Sequence, residues 1–169
     1  ATSVDLQRQC MQYGNTWFMS ENDLCQGETM LRVCQLMESK SIMVISSNDA
    51  YGLSFHDKMP FMANEWGIDI GFNELVSPNA TNAEIEDMLS RAYQYAKDKG
   101  FDTLDDVIVL VASSNYRHYK AANQWDMNHR DDMCIIFTDN DGTFNNQEAY
   151  SDASGIALAP NIESTLIKR

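Results

Sequence analysis

Three short apolar runs, each ending in a cluster of small polar residues, narrow what this chain can fold into. Ile42 to Ser46 runs into Ser-Ser-Asn-Asp, Val107 to Ala112 into Ser-Ser-Asn-Tyr, and Cys134 to Thr138 into Thr-Asp-Asn-Asp. Continuous apolar runs of this length suit strands covered on both faces, the usual condition of a parallel sheet. Helix-length segments between them supply the crossovers that parallel strands need. Ser41 to Leu75 is one complete βαβ unit: an apolar run, an amphipathic segment and a second strand-like run. The spacing therefore predicts an α/β fold, a three-layer sandwich with a mainly parallel sheet. Ligands of such sheets bind beyond the carboxyl ends of the strands. Ser46 to Gly52 would lie at the mouth of that site.

The remaining elements follow in order. Residues 1–15 are polar and mixed, and Trp17, Phe18 and Met19 read as a short strand. Ser20 to Asp23 supplies capping side chains for a helix to about Ser39, with Asp23 at or near its N-terminus. A helix from about Gly52 to Trp66 has Phe55, Met59, Phe61, Met62 and Trp66 as its apolar set, Pro60 as a point of kinking and Gly67 as its stop. The second strand spans Ile68 to Leu75. Ile85, Met88, Leu89, Ala92, Tyr93 and Ala96 mark an amphipathic helix that ends in Lys97, Lys99 and Gly100. Tyr116 to Trp125 reads as a shorter helix, and Gly155 to Ala159 as a last short strand. No repeat or internal linker divides residues 1–169, so one domain is expected.

Charge and cysteine content narrow the class. Twenty-five acidic against twelve basic residues leave a net charge of -13, which repels phosphate backbones and predicts no nucleic-acid partner. No apolar run approaches the ~18 residues of a membrane span. Cys10, Cys25, Cys34 and Cys134 show no zinc-like spacing, and they read as buried free thiols. One disulfide remains an alternative, although Cys25 and Cys34 on one helix would stand about 13 Å apart.

Reactive motifs are sparse. Asp139-Asn140-Asp141-Gly142 with Glu148 invites a calcium loop, but alignment on the glycine puts Phe137 where the first ligand belongs. No metal or cofactor is expected. His56, His118 and His129 do not directly follow a buried strand, and no nucleophile elbow or phosphate-binding glycine loop is present, so hydrolysis and nucleotide binding have little support. At the expected edge, Tyr51 could pack over a ligand or on its own helix. Asp23 could be a plain cap or could meet a ligand ammonium. Asn79-Ala80-Thr81 matches a glycosylation sequon.

Several separated stretches together resemble the second lobe of type 1 periplasmic-binding-protein-like domains, the fold of branched-chain amino acid binding proteins and of the ligand-binding regions of several receptors. Ala1-Thr2-Ser3 is similar to the segment by which the chain enters that lobe. Trp17 to Gln26 is similar to the family's strand followed by Asp-x-x-Gln. Ile42 to Gly52 resembles its strand followed by Asp-x-x-Tyr-Gly, with Asp49 and Tyr51 here one residue closer. Gly155 to Pro160 is similar to the strand leading out toward the hinge.

The resemblance implies a ligand-binding lobe without catalytic chemistry, recognising a small polar ligand such as an amino acid. It implies Tyr51 and Asp23 as ligand contacts, with Ser114, Asn115 and Tyr116 from the loop after the next strand and Asp139 from the one after that. Asn48 joins them in the first strand's polar cluster, and Thr2 would count only beside a neighbouring lobe. The chain would be one lobe of a two-lobe clamp, its partners being the missing first lobe and a membrane transporter or receptor, in the periplasm or cell envelope. Two alternatives stand beside this: an enzyme on a flavodoxin-like sheet, which needs a His or Cys at the carboxyl edge, and the effector lobe of a transcription regulator.

Overall fold

The computed structural model describes residues 4–14, 22–129, 132–138 and 156–157. The elements are α1 (Val4–Met11), α2 (Asp23–Leu36), β1 (Ser41–Ser47), α3 (Ala50–Glu65), β2 (Asn73–Val76), α4 (Asn82–Asp98), β3 (Val107–Ala112), α5 (Tyr116–Asn128), β4 (Cys134–Phe137) and the two-residue β5 (Ile156–Ala157). All strand pairings are parallel, in the order β2-β1-β3-β4-β5.

Every residue of β1 and β3 is buried, because each strand feeds both cores. On one face Met43, Ile45, Val109, Val111 and Ile135 pack with Leu89 and Ala92 of α4 and Ala122 and Trp125 of α5. On the other, Ile42, Val44, Ile108, Leu110 and Ile136 pack with Met30 and Leu31 of α2 and Phe55 and Met59 of α3. Alternation of side chains along each strand divides one apolar run between two cores. The chain is thus the α/β three-layer sandwich that its apolar runs predict.

Several local expectations change. The opening segment contains a helix, α1, rather than only irregular chain, and the strand read at Trp17 to Met19 lies outside the described residues. The N-cap of α2 is Asn22, whose Oδ1 accepts the Cys25 N–H at 3.0 Å. Asp23 is instead the first helical residue. Phe61 is 77% exposed, since it lies away from the stripe of Phe55, Met59 and Ala63 that faces the core. Among the described residues no disulfide joins the four cysteines, of which only Cys34 is buried and Cys25 is exposed. Burial and neighbouring Cys134 push the Cys34 thiol up to about 12, so it stays protonated and unreactive. Among the described residues no helix is long and apolar enough to cross a membrane.

The second strand is shorter than its sequence suggests. Ser41 pairs with Asp69 and Val44 with Asn73, so Ile70-Gly71-Phe72 holds one residue more than the matching stretch of β1. This is a bulge. Gly71 packs where a Cβ would come within 1.9 Å of the Tyr95 hydroxyl, so a larger residue there would have to displace the Tyr95 ring.

Pro60 stays inside α3 without ending it. Proline lacks the N–H that would bond the carbonyl four residues back, and that carbonyl, His56 O, instead accepts Asn73 Nδ2 at 2.8 Å. The defect in the helix therefore ties it to β2. Asn73→Ala should lower stability by about 1–2 kcal/mol in urea denaturation, because it leaves a carbonyl unpaired. Pro60→Ala, by restoring the helical N–H, should recover part of that loss in the double mutant. Additive effects in the cycle would refute the link.

Candidate functional site

The sheet order sets where a site can form. From β1 the chain crosses one face through α3 to reach β2, and from β2 it crosses the other face through α4 to reach β3. The crevice of such a sheet opens between the carboxyl ends of the two strands at which the winding reverses. Here these are β1 and β3, followed by Asn48-Asp49 and by Ser113-Ser114-Asn115-Tyr116.

Asp49 joins the two sides. As N-cap of α3 its Oδ1 accepts the N–H groups of Tyr51 and Gly52, both at 3.0 Å. Its Oδ2 accepts the Ser114 hydroxyl at 2.5 Å. Ser114 N–H donates to Ser47 Oγ at 3.4 Å, and Asn48 N–H to Val76 O at 2.8 Å. Asn115 caps α5 through Arg117 N–H at 3.0 Å, while its Nδ2 donates to Pro78 O at 2.7 Å. The loops after β1, β2 and β3 are therefore one hydrogen-bonded unit. Gly52 allows the tight turn, since a Cβ there would lie 2.1 Å from Ser47 O.

Ser113, behind this surface, is buried. Its N–H donates to Tyr119 Oη at 2.9 Å, and that hydroxyl donates back to Ser113 O. Tyr119 Oη also meets Thr138 Oγ1 at 3.3 Å, which brings in the end of β4. His118 is fully buried, with Nδ1 2.8 Å from Ser113 Oγ. Among the described residues its Nε2 has no hydrogen-bond partner. Burial holds the His118 pKa below the ordinary value, and the Asp49 charge opposes that in part.

The residues expected at the site separate into two groups. Asn48, Ser114, Asn115 and Tyr116 gather at the β1/β3 crevice. Of these Asn48, Ser114 and Tyr116 are exposed and Asn115 is half-buried. Asp23 and Tyr51 lie with the first turns of α2 and α3. Asp23 is buried, accepts the Ser54 hydroxyl and lies 3.7 Å from Lys58 Nζ. Tyr51 donates to Gln26 Oε1 at 3.0 Å and packs edge-on against Phe55 at 5.2 Å, which is the packing on its own helix that its position allowed. Asp139 and Thr2 lie outside the described residues.

Sequence reasoning passed over Asp49 and His118 as site residues. Asp49 carries a readable signal, an acidic residue between a buried strand and a helix, as an N-cap should be. His118 carries none, because its role depends on a buried partner across the turn. Among the described residues no three His, Cys, Asp or Glu side chains gather as a metal site. An open cleft of about 390 Å³ lies between β2 and α4, but its lining includes none of the crevice residues. Its charges are also engaged: Arg91 with Asp87 at 3.2 Å, and Glu84 in the capping box with Thr81. No protein-family model matches the chain, and no curated protein matches it.

Burial raises the cost of ionising Asp49, but the hydrogen bonds from Ser114, Gly52, Ser47 and Tyr51 outweigh it and hold the carboxyl below the usual range. A folded value below the unfolded one stabilises the protein above about pH 3.9, and this is lost as pH falls through the folded value. Asp49→Ala should cost about 2 kcal/mol at pH 7. It should also flatten the acid limb of a stability–pH curve below about pH 4, read by urea denaturation.

Proposed function

We propose that the chain is a ligand-binding lobe of an extracytoplasmic solute-binding or sensory protein, which holds a small polar ligand at the β1/β3 crevice and performs no chemistry on it. The observation that carries this reading is the bonded unit of three loops. It fixes Ser114 and Asn115 at the rim, with the Ser114 hydroxyl donated to Asp49, and beside them the exposed Asn48 and Tyr116 bring an amide and an aromatic ring. These groups suit a ligand with several hydrogen-bonding positions and an apolar face. The resemblance to type 1 periplasmic-binding-protein-like lobes gives the wider context, in which a second lobe closes over the ligand. A clamp of that kind favours the closed state because only closure offers both sets of contacts.

The enzymatic alternative needs a reactive group that a substrate can reach. His118 and Ser113 stand at the right edge, but they are 0% and 2% exposed, and their mutual bond serves the turn. The net charge of -13 argues against DNA contact by this lobe.

The test is a ¹⁵N NMR titration of the chain with a neutral amino acid, a dipeptide, a pentose and a dicarboxylate. One class should shift the amides of Asn48, Ser114, Asn115 and Tyr116 with a Kd of roughly millimolar, as expected for half of a clamp. Tyr116→Ala should weaken that binding about threefold or more. Shifts that map instead to the β2/α4 cleft, or none with any probe, would sink the reading.

A further inference from the structure

His118 has a polar environment that the crevice does not explain. Ser113 Oγ accepts the Asn115 N–H at 3.0 Å, so the hydroxyl hydrogen must go elsewhere. Its two acceptors are His118 Nδ1 at 2.8 Å and Asn115 O at 3.4 Å. Taking the shorter contact as the serine's bond makes Nδ1 the acceptor and places the imidazole proton on Nε2 in the neutral ring. That nitrogen is buried without a partner among the described residues. The ring also lies in the first turn of α5, where the helix dipole disfavours positive charge.

Adding a proton to this ring changes the turn. Nδ1 becomes a donor aimed at Ser113 Oγ, and the serine hydrogen must rotate to Asn115 O across the longer contact. A buried cation then stands at a helix N-terminus with one donor still unpartnered. Among the described residues, the ionisable group whose charge bears on the ring is Asp49, from the loop after β1. Arg117 and Lys120, on α5 itself, are exposed. Tyr119 and Thr138 are also linked to Ser113, through the Tyr119 hydroxyl.

From this cluster we infer that His118 is a pH-sensitive latch on the turn between β3 and α5. Neutral, it accepts the Ser113 hydroxyl and keeps Ser114 and Asn115 bonded to the loops after β1 and β2. Protonated, it reverses that bond and loosens the turn. The consequence for ligand capture rests on the proposed function, but the latch itself does not.

The test is an NMR titration without ligand from pH 8 to 5, in a His56→Gln/His129→Gln background that leaves His118 as the one histidine. Asp49 stays ionised over this range. The imidazole should titrate with a midpoint below about 6.5, and the amides of Ser114 and Asn115 should shift on the same curve. His118→Asn, which can keep an acceptor near Ser113 Oγ, should make those amides indifferent to pH. An imidazole that titrates while the amides stay still overturns the latch, as does one that does not titrate before the protein unfolds. Amide shifts that persist in His118→Asn overturn it too. If that variant does not fold, agreement between the imidazole and amide curves decides alone. Because no ligand is present, failure here leaves the ligand proposal standing, and failure of the ligand screen leaves the latch standing.

Discussion

The carboxyl edge of this sheet depends on one carboxylate accepting hydrogen bonds from two directions. Asp49 closes the first turn of α3 with one oxygen and takes the Ser114 hydroxyl with the other. Strands β1 and β3 are already neighbours in the ladder, but a ladder fixes only the strands. The loops beyond it need bonds of their own, since their backbone groups have left the sheet. Asp49 provides that constraint, and Asn115 extends it to the β2 loop through Pro78.

The charge distribution is consistent with this division of labour. Ion pairs such as Lys40 with Asp106 at 2.9 Å and Arg91 with Asp87 lie at the surface, where they contribute little. Two acidic groups at helix starts are held by neutral donors. Asp49 is one, and Glu84 is another, its carboxyl kept below the ordinary range by the Thr81 backbone and hydroxyl. A surface of net charge -13 can therefore remain solvated while the fold is organised by hydrogen bonds and burial.

The layers of the fold were legible because they depend on periodicity. Val107 to Ala112 is buried along its whole length, and the apolar positions of α4 from Ile85 to Ala96 face one core, as their spacing requires. The Thr81 and Glu84 pair also marks its helix start in the sequence. Features decided by a single residue of register were less accessible. Ser-Glu-Asn-Asp offers adjacent capping residues, and only the bond to Cys25 N–H selects Asn22 over Asp23. The rim residues Asn48, Ser114 and Tyr116 could be found because they follow apolar strands. The partners of Asp49 and His118 could not, since they come from segments distant in sequence or from a turn whose geometry is not written in residue type.

The bulge in Ile70-Gly71-Phe72 has a consequence beyond the shape of one strand. Among the described residues strand β2 ends the sheet order, and the outer side of such a strand carries backbone groups that another extended chain could match. With only four regular residues, preceded by an irregular stretch, it offers a short and interrupted template. Edge-to-edge growth of the sheet from copy to copy would lose its register there. The same extra residue that shortens β2 thus makes that side of the sheet a poor template for a further strand.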